Sequence, residues 1–462
     1  MAVLGGIMVP HPPLIVPEVG GGKEQIIEKT TQAYKKAADF IRELEPETIV
    51  LISPHTIMYS DYLHISPGYQ ASGNLAQFGA PDVSMQVEYD ADLSNRLCEL
   101  AEDALIPAGY EGERDKSLDH GTMVPLYFIR KVYAQFRLVR MGISGISLYE
   151  HYRMGMLIRQ AAQELDRRVA IVASGDLSHK LKASGPYGFD PSGPVYDQKI
   201  MEVMGKADFR SLLEFDSKLL EKAAECGHRS FVIMGGAFDK MLVETIRYSH
   251  EDVTGVGYGI CTYRVKKADD TRNFLEQYDK HRRERVQQKM QTEDEYVSLA
   301  RRTVENYIAG EKRITVPSGL PSRMYEQRAG VFVSIHSAGQ LRGCIGTIAP
   351  TTDSVAEEII QNAISASTKD PRFSPIREDE LLDLEYSVDV LGEAQDISSP
   401  DELDVKKYGV IVTKGLKRGL LLPDLEGVKT VQQQIAIAKQ KAGIGELERN
   451  VQLQRFEVVR HH

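Results

Sequence analysis

Five histidines in the first half of the chain, His11, His55, His120, His179 and His228, lie in stretches where an α/β protein places its chemistry. His11 ends the first apolar run inside VPHPPLIVP, between Pro10 and Pro12. These prolines fix local backbone angles, and Pro12 moves His11 out of the helical region. His55 follows the next strand-like run in VLISPHT, again directly behind a proline. His120 stands beside Asp119 in SLDHGTMVPL, and His179 leaves a third run in IVASGDLSHK, with Asp176 and Ser178 close by. EKAAECGHRSF adds Glu225 and His228 at an expected helix end. Each residue alone has a plain structural reading: Asp119 and Asp176 as helix caps, Glu225 as a solvated helix residue, His228 as a surface residue. His64, His151, His250 and His281 lie in ordinary polar settings. Two histidines at matching strand ends exceed what packing asks for. Two neutral imidazoles and one carboxylate on one face of a metal leave positions open for substrate and dioxygen, as non-haem Fe(II) oxygenases require. The same donor set can hold Zn2+ for hydrolysis. Additional histidines over that face can move protons near neutral pH.

The elements that must position these groups alternate. Leu4–Val9 and Thr48–Ile52 read as strands on either side of a helix over Glu24–Leu44, whose apolar residues recur at helical spacing. Arg137–Met141 and Arg168–Ala173 repeat the pattern around a helix from Tyr149 to Asp166, and GVGYGICTYRV reads as a last strand. This alternation predicts an α/β domain, a central sheet with helices on both faces, over residues 1–265. In such sheets ligands gather beyond the carboxyl ends of the strands. Residues 266–293 are dense in charge and nearly free of Gly and Pro, which predicts a helical linker. Beyond it, residues 294–462 read as a smaller α+β domain. Helices are expected over Glu293–Ala309, Ser354–Ser367 and Val431–Lys441, and strands at GVFVSIH, LRGCIGTI, LEYSVDVL, GVIVTK and RGLLLP.

At 462 residues the chain exceeds one ordinary core, which agrees with two domains. A formal charge of −10 argues against general nucleic-acid binding. No apolar run reaches the length of a membrane span, and the N-terminus lacks the features of a signal peptide. Cys98, Cys226, Cys261 and Cys344 are far apart without a CxxC, which predicts a reducing, cytoplasmic setting and no cysteine-based zinc site.

In the second half, LRGCIGT places Cys344 between two glycines with Arg342 near it. A cation beside a thiol favours the thiolate nucleophile, while a small buried residue in a tight strand is the plainer reading. STKDPRFSPI gathers Asp370 and Arg372 among prolines, and RGLLLPDLEG is an apolar strand ending in a turn.

The motifs PHPP, SPH, DHG, SGDLSH and the Glu of AECG, in that order, resemble the class III extradiol dioxygenase B-subunit family, which also contains the Memo-like proteins. The resemblance covers residues 1–265. It implies Fe(II), with Zn2+ or Cu as alternatives, held by His11, His55 and Glu225. It also implies His179 as the acid–base group, His120 beside substrate or oxygen, and a catechol-like small molecule and O2 as reactants. LRGCIGT, DPRF and GLLLP resemble the AMMECR1 family. Both halves together resemble the A and B components of the AmmeMemoRadiSam system. That implies a separate radical S-adenosylmethionine protein as partner, because no CxxxCxxC is present in this chain, and with it the alternative of a metal-binding assembly or accessory protein serving that enzyme. A homo-oligomer is expected.

Overall fold

A computed structural model of the chain describes residues 2–462 apart from 114, 311–312, 338–339, 426, 446–447 and 449. It divides into two compact units, 1–279 and 280–462. The division falls inside the helix Phe274–Met290, within the charged stretch expected to join the halves. Among the described residues no helix is long and apolar enough to cross a membrane.

The first unit is built on six strands: β1 (Val3–Val9), β2 (Thr48–Ile52), β3 (Arg137–Met141), β4 (Val169–Ser174), β5 (Met241–Glu251) and β6 (Tyr258–Ala268). Their order in the sheet is β3-β2-β4-β1-β6-β5. The first four are parallel, while β6 pairs antiparallel with β1 and β5 antiparallel with β6. TIVLI and VAIVAS are buried at every residue, the composition that a parallel strand covered on both faces needs. The pleat divides their side chains between two cores. Ile7, Val9, Ile49, Leu51, Ala170 and Val172 face the helices Glu28–Leu44 and His120–Arg130. Met8, Val50, Ile52, Ile171 and Ala173 face the other core, which includes residues of Ala91–Asp103, Leu148–Glu164, Ser192–Lys206 and His228–Ala237.

The expected helix at residue 24 begins later as an α-helix. Gly21 and Gly22 adopt left-handed angles, and a 3-10 turn over Lys23–Ile27 precedes Glu28. Ser147 and Glu150 close a reciprocal cap on Leu148–Glu164. Two elements the sequence pattern left unassigned are the hairpin Gln70–Leu75/Ala80–Glu88 and β5. Both carry many polar, outward-facing residues, and β5 is an edge of the sheet.

The second unit has two four-stranded sheets. One consists of Gln340–Gly346, Val331–Ser337, Leu384–Leu391 and Val458–His461, in that order. The other consists of Gln395–Ile397, Gln452–Phe456, Gly409–Lys414 and Lys417–Leu421. Glu295–Ile308 and Val355–Thr368 share a core with the first sheet, and Val431–Lys441 shares one with the second.

Candidate metal centre

Three of the parallel strands end where the histidines begin. β1 passes through Pro10 to His11, β2 through Ser53 and Pro54 to His55, and β4 through Gly175 to Asp176. The imidazoles of His11 and His55 point at one another, with their Nε2 atoms 2.9 Å apart. Cys226 Sγ lies 3.6 Å from His11 Nε2. The ligand atoms of His11, His55 and Cys226 all fall within 4.8 Å of one another, as do those of Asp176, His179 and Cys226.

The tautomer of His11 follows from its neighbours. Ser174 Oγ donates its only proton to the Gly121 carbonyl at 2.6 Å. At 2.9 Å from His11 Nδ1 the same oxygen must therefore accept. Nδ1 carries the hydrogen, and Nε2 presents a bare lone pair to the gap shared with His55 and Cys226. A metal-binding histidine is held in this way by a partner on its far nitrogen.

Burial, with the neighbouring His55, His120 and His179, pushes His11 well below the usual imidazole pKa. Burial also lowers His55 against the opposing pull of Asp119. His120 falls to about 4 through burial and then His55, and His179 to about 4 for the same reasons. Near neutral pH this cluster is therefore uncharged, the state in which imidazole ligates metal.

Two glycines bring the thiol into place. A Cβ on Gly175 would lie 2.1 Å from Gly227 Cα, so only the bare backbones let the segment carrying Cys226 meet the end of β4. Gly227 N–H then donates to the Asp176 carbonyl at 3.1 Å, and Asp176 N–H to Cys226 Sγ at 3.3 Å. Asp176 Oδ1 accepts from the His11 N–H at 2.9 Å. This residue joins the ends of β1 and β4 and caps no helix, and burial raises its carboxyl to about 7. At the other side Asp119 caps His120–Arg130 through Thr122 and accepts from Ser53 Oγ at 2.6 Å. A Cβ on Gly121 would lie 2.4 Å from Ser53 Oγ, which accounts for the glycine in DHG.

His120 lies over His55 with ring centroids 4.0 Å apart. His179 stacks on Tyr187 at 4.9 Å, and its Nε2 lies 4.0 Å from Asp176 Oδ2. Glu225, expected as the third ligand, lies outside both groups of converging ligand atoms. Its Oε2 accepts the backbone N–H of His228 at 2.6 Å, at the start of His228–Ala237. Cys226, the neighbour of Glu225, is the residue whose ligand atom lies with those of His11 and His55. Sequence reasoning passed over this cysteine because it has no CxxC partner, although it is the next residue in AECG. His228 is fully buried rather than on the surface, with Nε2 2.9 Å from the Leu212 carbonyl. His64 and His151 are buried too.

The donor set fits a metal ion. Two nitrogens that share one ion at about 2.1 Å each lie about 3.4 Å apart in a tetrahedron and about 3.0 Å apart at right angles, and the 2.9 Å seen here is close to the second. A thiol against two neutral imidazoles is a set that iron, zinc or copper can take.

In the second unit the four sequence-selected residues fall into two paired sets, Arg342 with Glu380 and Cys344 with Asp370 and Arg372. Arg342 donates to Glu380 at 2.7 and 3.0 Å and to the Ser374 carbonyl at 2.8 Å. Asp370 accepts the Cys344 N–H at 2.8 Å and pairs with Arg372. Arg372 beside it holds the Asp370 carboxyl well below the usual carboxylate range. Cys344 Sγ accepts from Ser334 Oγ at 3.2 Å. Arg342, expected to favour a thiolate, spends its charge on Glu380. The guanidinium that reaches Cys344 belongs to Arg372 and touches its carbonyl at 3.2 Å.

Residues 5–261 match the family described as the catalytic LigB subunit of aromatic ring-opening dioxygenase, and residues 297–461 match AMMECR1. Protein CA_C1420 of Clostridium acetobutylicum is 39% identical over 469 residues, covering 100% of this chain and 99% of that protein. A protein of Thermotoga maritima is 50% identical over 170 residues, covering 37% of this chain and 98% of its own length. The crystal structure of PH0010 from Pyrococcus horikoshii is 32% identical, covers 36% of this chain and 88% of its own, and has a TM-score of 0.34.

Proposed function

Because this chain belongs to the LigB family through its first unit and carries an AMMECR1 domain behind it, we propose that the first unit is a metal-dependent oxidoreductase of the extradiol dioxygenase type. It uses O2 on a catechol-like or other chelating small molecule. The observation that carries this reading is the convergence of His11 Nε2, His55 Nε2 and Cys226 Sγ beside two further neutral histidines. These three residues hold the ion, with Fe(II) as the first choice. When bound, the ion supplies Lewis acidity toward the substrate's hydroxyls and, as iron, electrons toward dioxygen.

The remaining residues manage orientation and protons. Ser174 keeps the His11 proton on Nδ1. His120 holds the face of the His55 ring. His179 is uncharged at neutral pH and takes a proton from a substrate hydroxyl at its Nε2. Asp176, with its carboxyl raised to about 7, lies within reach as the next proton carrier. Tyr187 stacks on His179 and limits its ring to one orientation.

A second reading, zinc-dependent hydrolysis, is favoured by the thiol in place of a carboxylate, since thiolate and imidazole are zinc's common ligands. Elemental analysis of full-length protein prepared anaerobically separates the two. About one iron per chain, lost in His55→Ala, together with oxygen uptake on adding catechols, supports the dioxygenase. Equimolar zinc without oxygen uptake supports the hydrolase. Absence of any bound metal, or equal metal in His55→Ala, overturns both.

A further inference from the structure

Beside the metal centre a cavity of about 930 Å3 has His55 and His120 in its wall. Its size is that of a small-molecule site rather than of a single inorganic ion. The rest of the lining is strongly polar and includes Asn74, Gln77, Arg130 and Arg140.

Arg140 is the unusual member. It lies on β3 and is only 2% exposed, yet its guanidinium stays charged because arginine does not deprotonate in proteins. NH1 donates to the Ser117 carbonyl at 2.8 Å, while Nε has no partner. Among the described residues no carboxylate approaches it within ion-pair distance. The acids nearby, of which Asp115 and Asp119 also line the cavity, have other tasks, although after Ser117 the charge of Arg140 helps to hold the Asp115 carboxyl down. Asp119 accepts from Ser53 and Thr122, Asp115 accepts the Ser117 N–H, and Glu113 lies 4.0 Å from His64. In the same neighbourhood His64 Nε2 is buried without a hydrogen-bond partner, while Tyr89 OH and Ser66 Oγ have each other. Ser66 N–H donates to the Arg140 carbonyl, and His64 and Tyr89 both feel the guanidinium's charge. A buried cation needs a counter-charge, and buried donors need acceptors.

We propose that this cavity takes a small molecule bearing an anionic group, a carboxylate or a phosphate ester, and that Arg140 is the residue that selects it. The planar guanidinium offers two donors to two oxygens of such a group. Arg130, at the last turn of His120–Arg130, adds a second positive charge at the wall. The rest of the ligand then extends toward His55 and His120. What happens to the ligand there rests on the metal-dependent reading above. Its recognition by Arg140 does not.

Calorimetric titration of full-length protein, stripped of metal by a chelator, tests the proposal with benzoate, phenyl phosphate and the neutral benzamide. At least one anion is expected to bind about tenfold or more tighter than benzamide. Whether benzoate or phenyl phosphate is the tighter identifies the anionic group. Arg140→Gln should erase the preference while keeping the wild-type metal content on reconstitution, and Arg140→Lys should retain part of it. Equal affinity for anion and amide in the wild type, or no binding of either, overturns the proposal. That comparison needs no variant to fold. A preference that survives in Arg140→Gln overturns it too. Failure of His55→Ala to lose metal counts against the oxidoreductase reading alone and leaves these affinities as they are.

Discussion

Where β1, β2 and β4 end, ligand-type atoms face one another across a gap, whereas along LRGCIGT the charged groups meet partners. His11 Nε2, His55 Nε2 and Cys226 Sγ converge on a gap, and Arg140 Nε lies buried without a hydrogen-bond partner. In the second unit Arg342 has Glu380, and Asp370 has Arg372 and the Cys344 N–H. Thr347, the last residue of the motif, donates to Glu358, a fully buried carboxylate that takes five donors from Thr347, Thr351 and Thr352. Both regions bury polar groups, although Arg372 in the second is more than half exposed. The first leaves valence open for a ligand, and the second closes it and so fixes a strand against its neighbours. A motif can thus be highly specific to a family and still do structural work.

The sharpest way to break this comparison is to exchange the roles of adjacent residues. Cys226→Ser should lower metal affinity by about 100-fold, whereas Glu225→Gln should leave it within about threefold, since Glu225 serves the start of His228–Ala237. Metal competition with a chromophoric chelator reads both, and the reverse order would restore Glu225 as ligand. Next in size is acid sensitivity in the first unit. His151 donates from Nδ1 to the Ser147 carbonyl and accepts from the Ser144 N–H at Nε2, so its fold requires the neutral ring. Burial holds its pKa at about 4, against 6.5 when unfolded. The unfolded chain therefore takes up the proton first. Stability is complete above pH 6.5 and declines between 6.5 and 4, by about 3 kcal/mol for this residue. Denaturant titrations across that window should show a shallower decline in His151→Gln, and identical slopes would remove His151 as the cause. The smallest effect belongs to the second unit. Glu358→Gln replaces an acceptor of five donors with a group that is itself half donor, costing about 2 kcal/mol of second-unit stability. Metal content should not change. A loss of metal in that variant would show that the two regions are not independent.

Much of the first unit was legible because parallel strands buried on both faces announce themselves as unbroken apolar runs, as TIVLI and VAIVAS do. β5 was not, since an edge strand such as MLVETIRYSHE alternates little and carries charge. The positions of His11 and His55 followed from their place at strand ends. The approach of Cys226 to them did not, because sequence order cannot tell which of two neighbours, Glu225 or Cys226, a chain will turn toward a gap. That choice depends on the Gly175–Gly227 approach, which joins residues 52 positions apart (from the two residue numbers). Arg140 was illegible for a related reason. An arginine among apolar residues in RLVRM looks like a strand's solvent face until the sheet is closed around it.

The hydroxyl of Ser174 has a consequence for the choice of tautomer as well as for geometry. Its single proton is committed to a carbonyl, so the chain from His11 to Gly121 has only one direction in which it can be hydrogen-bonded. An imidazole free in water divides itself between two tautomers and many orientations, and a metal arriving there must wait for the right one. Here the waiting has been done during folding. An ion held there would meet a lone pair already aimed, with no tautomer left to choose.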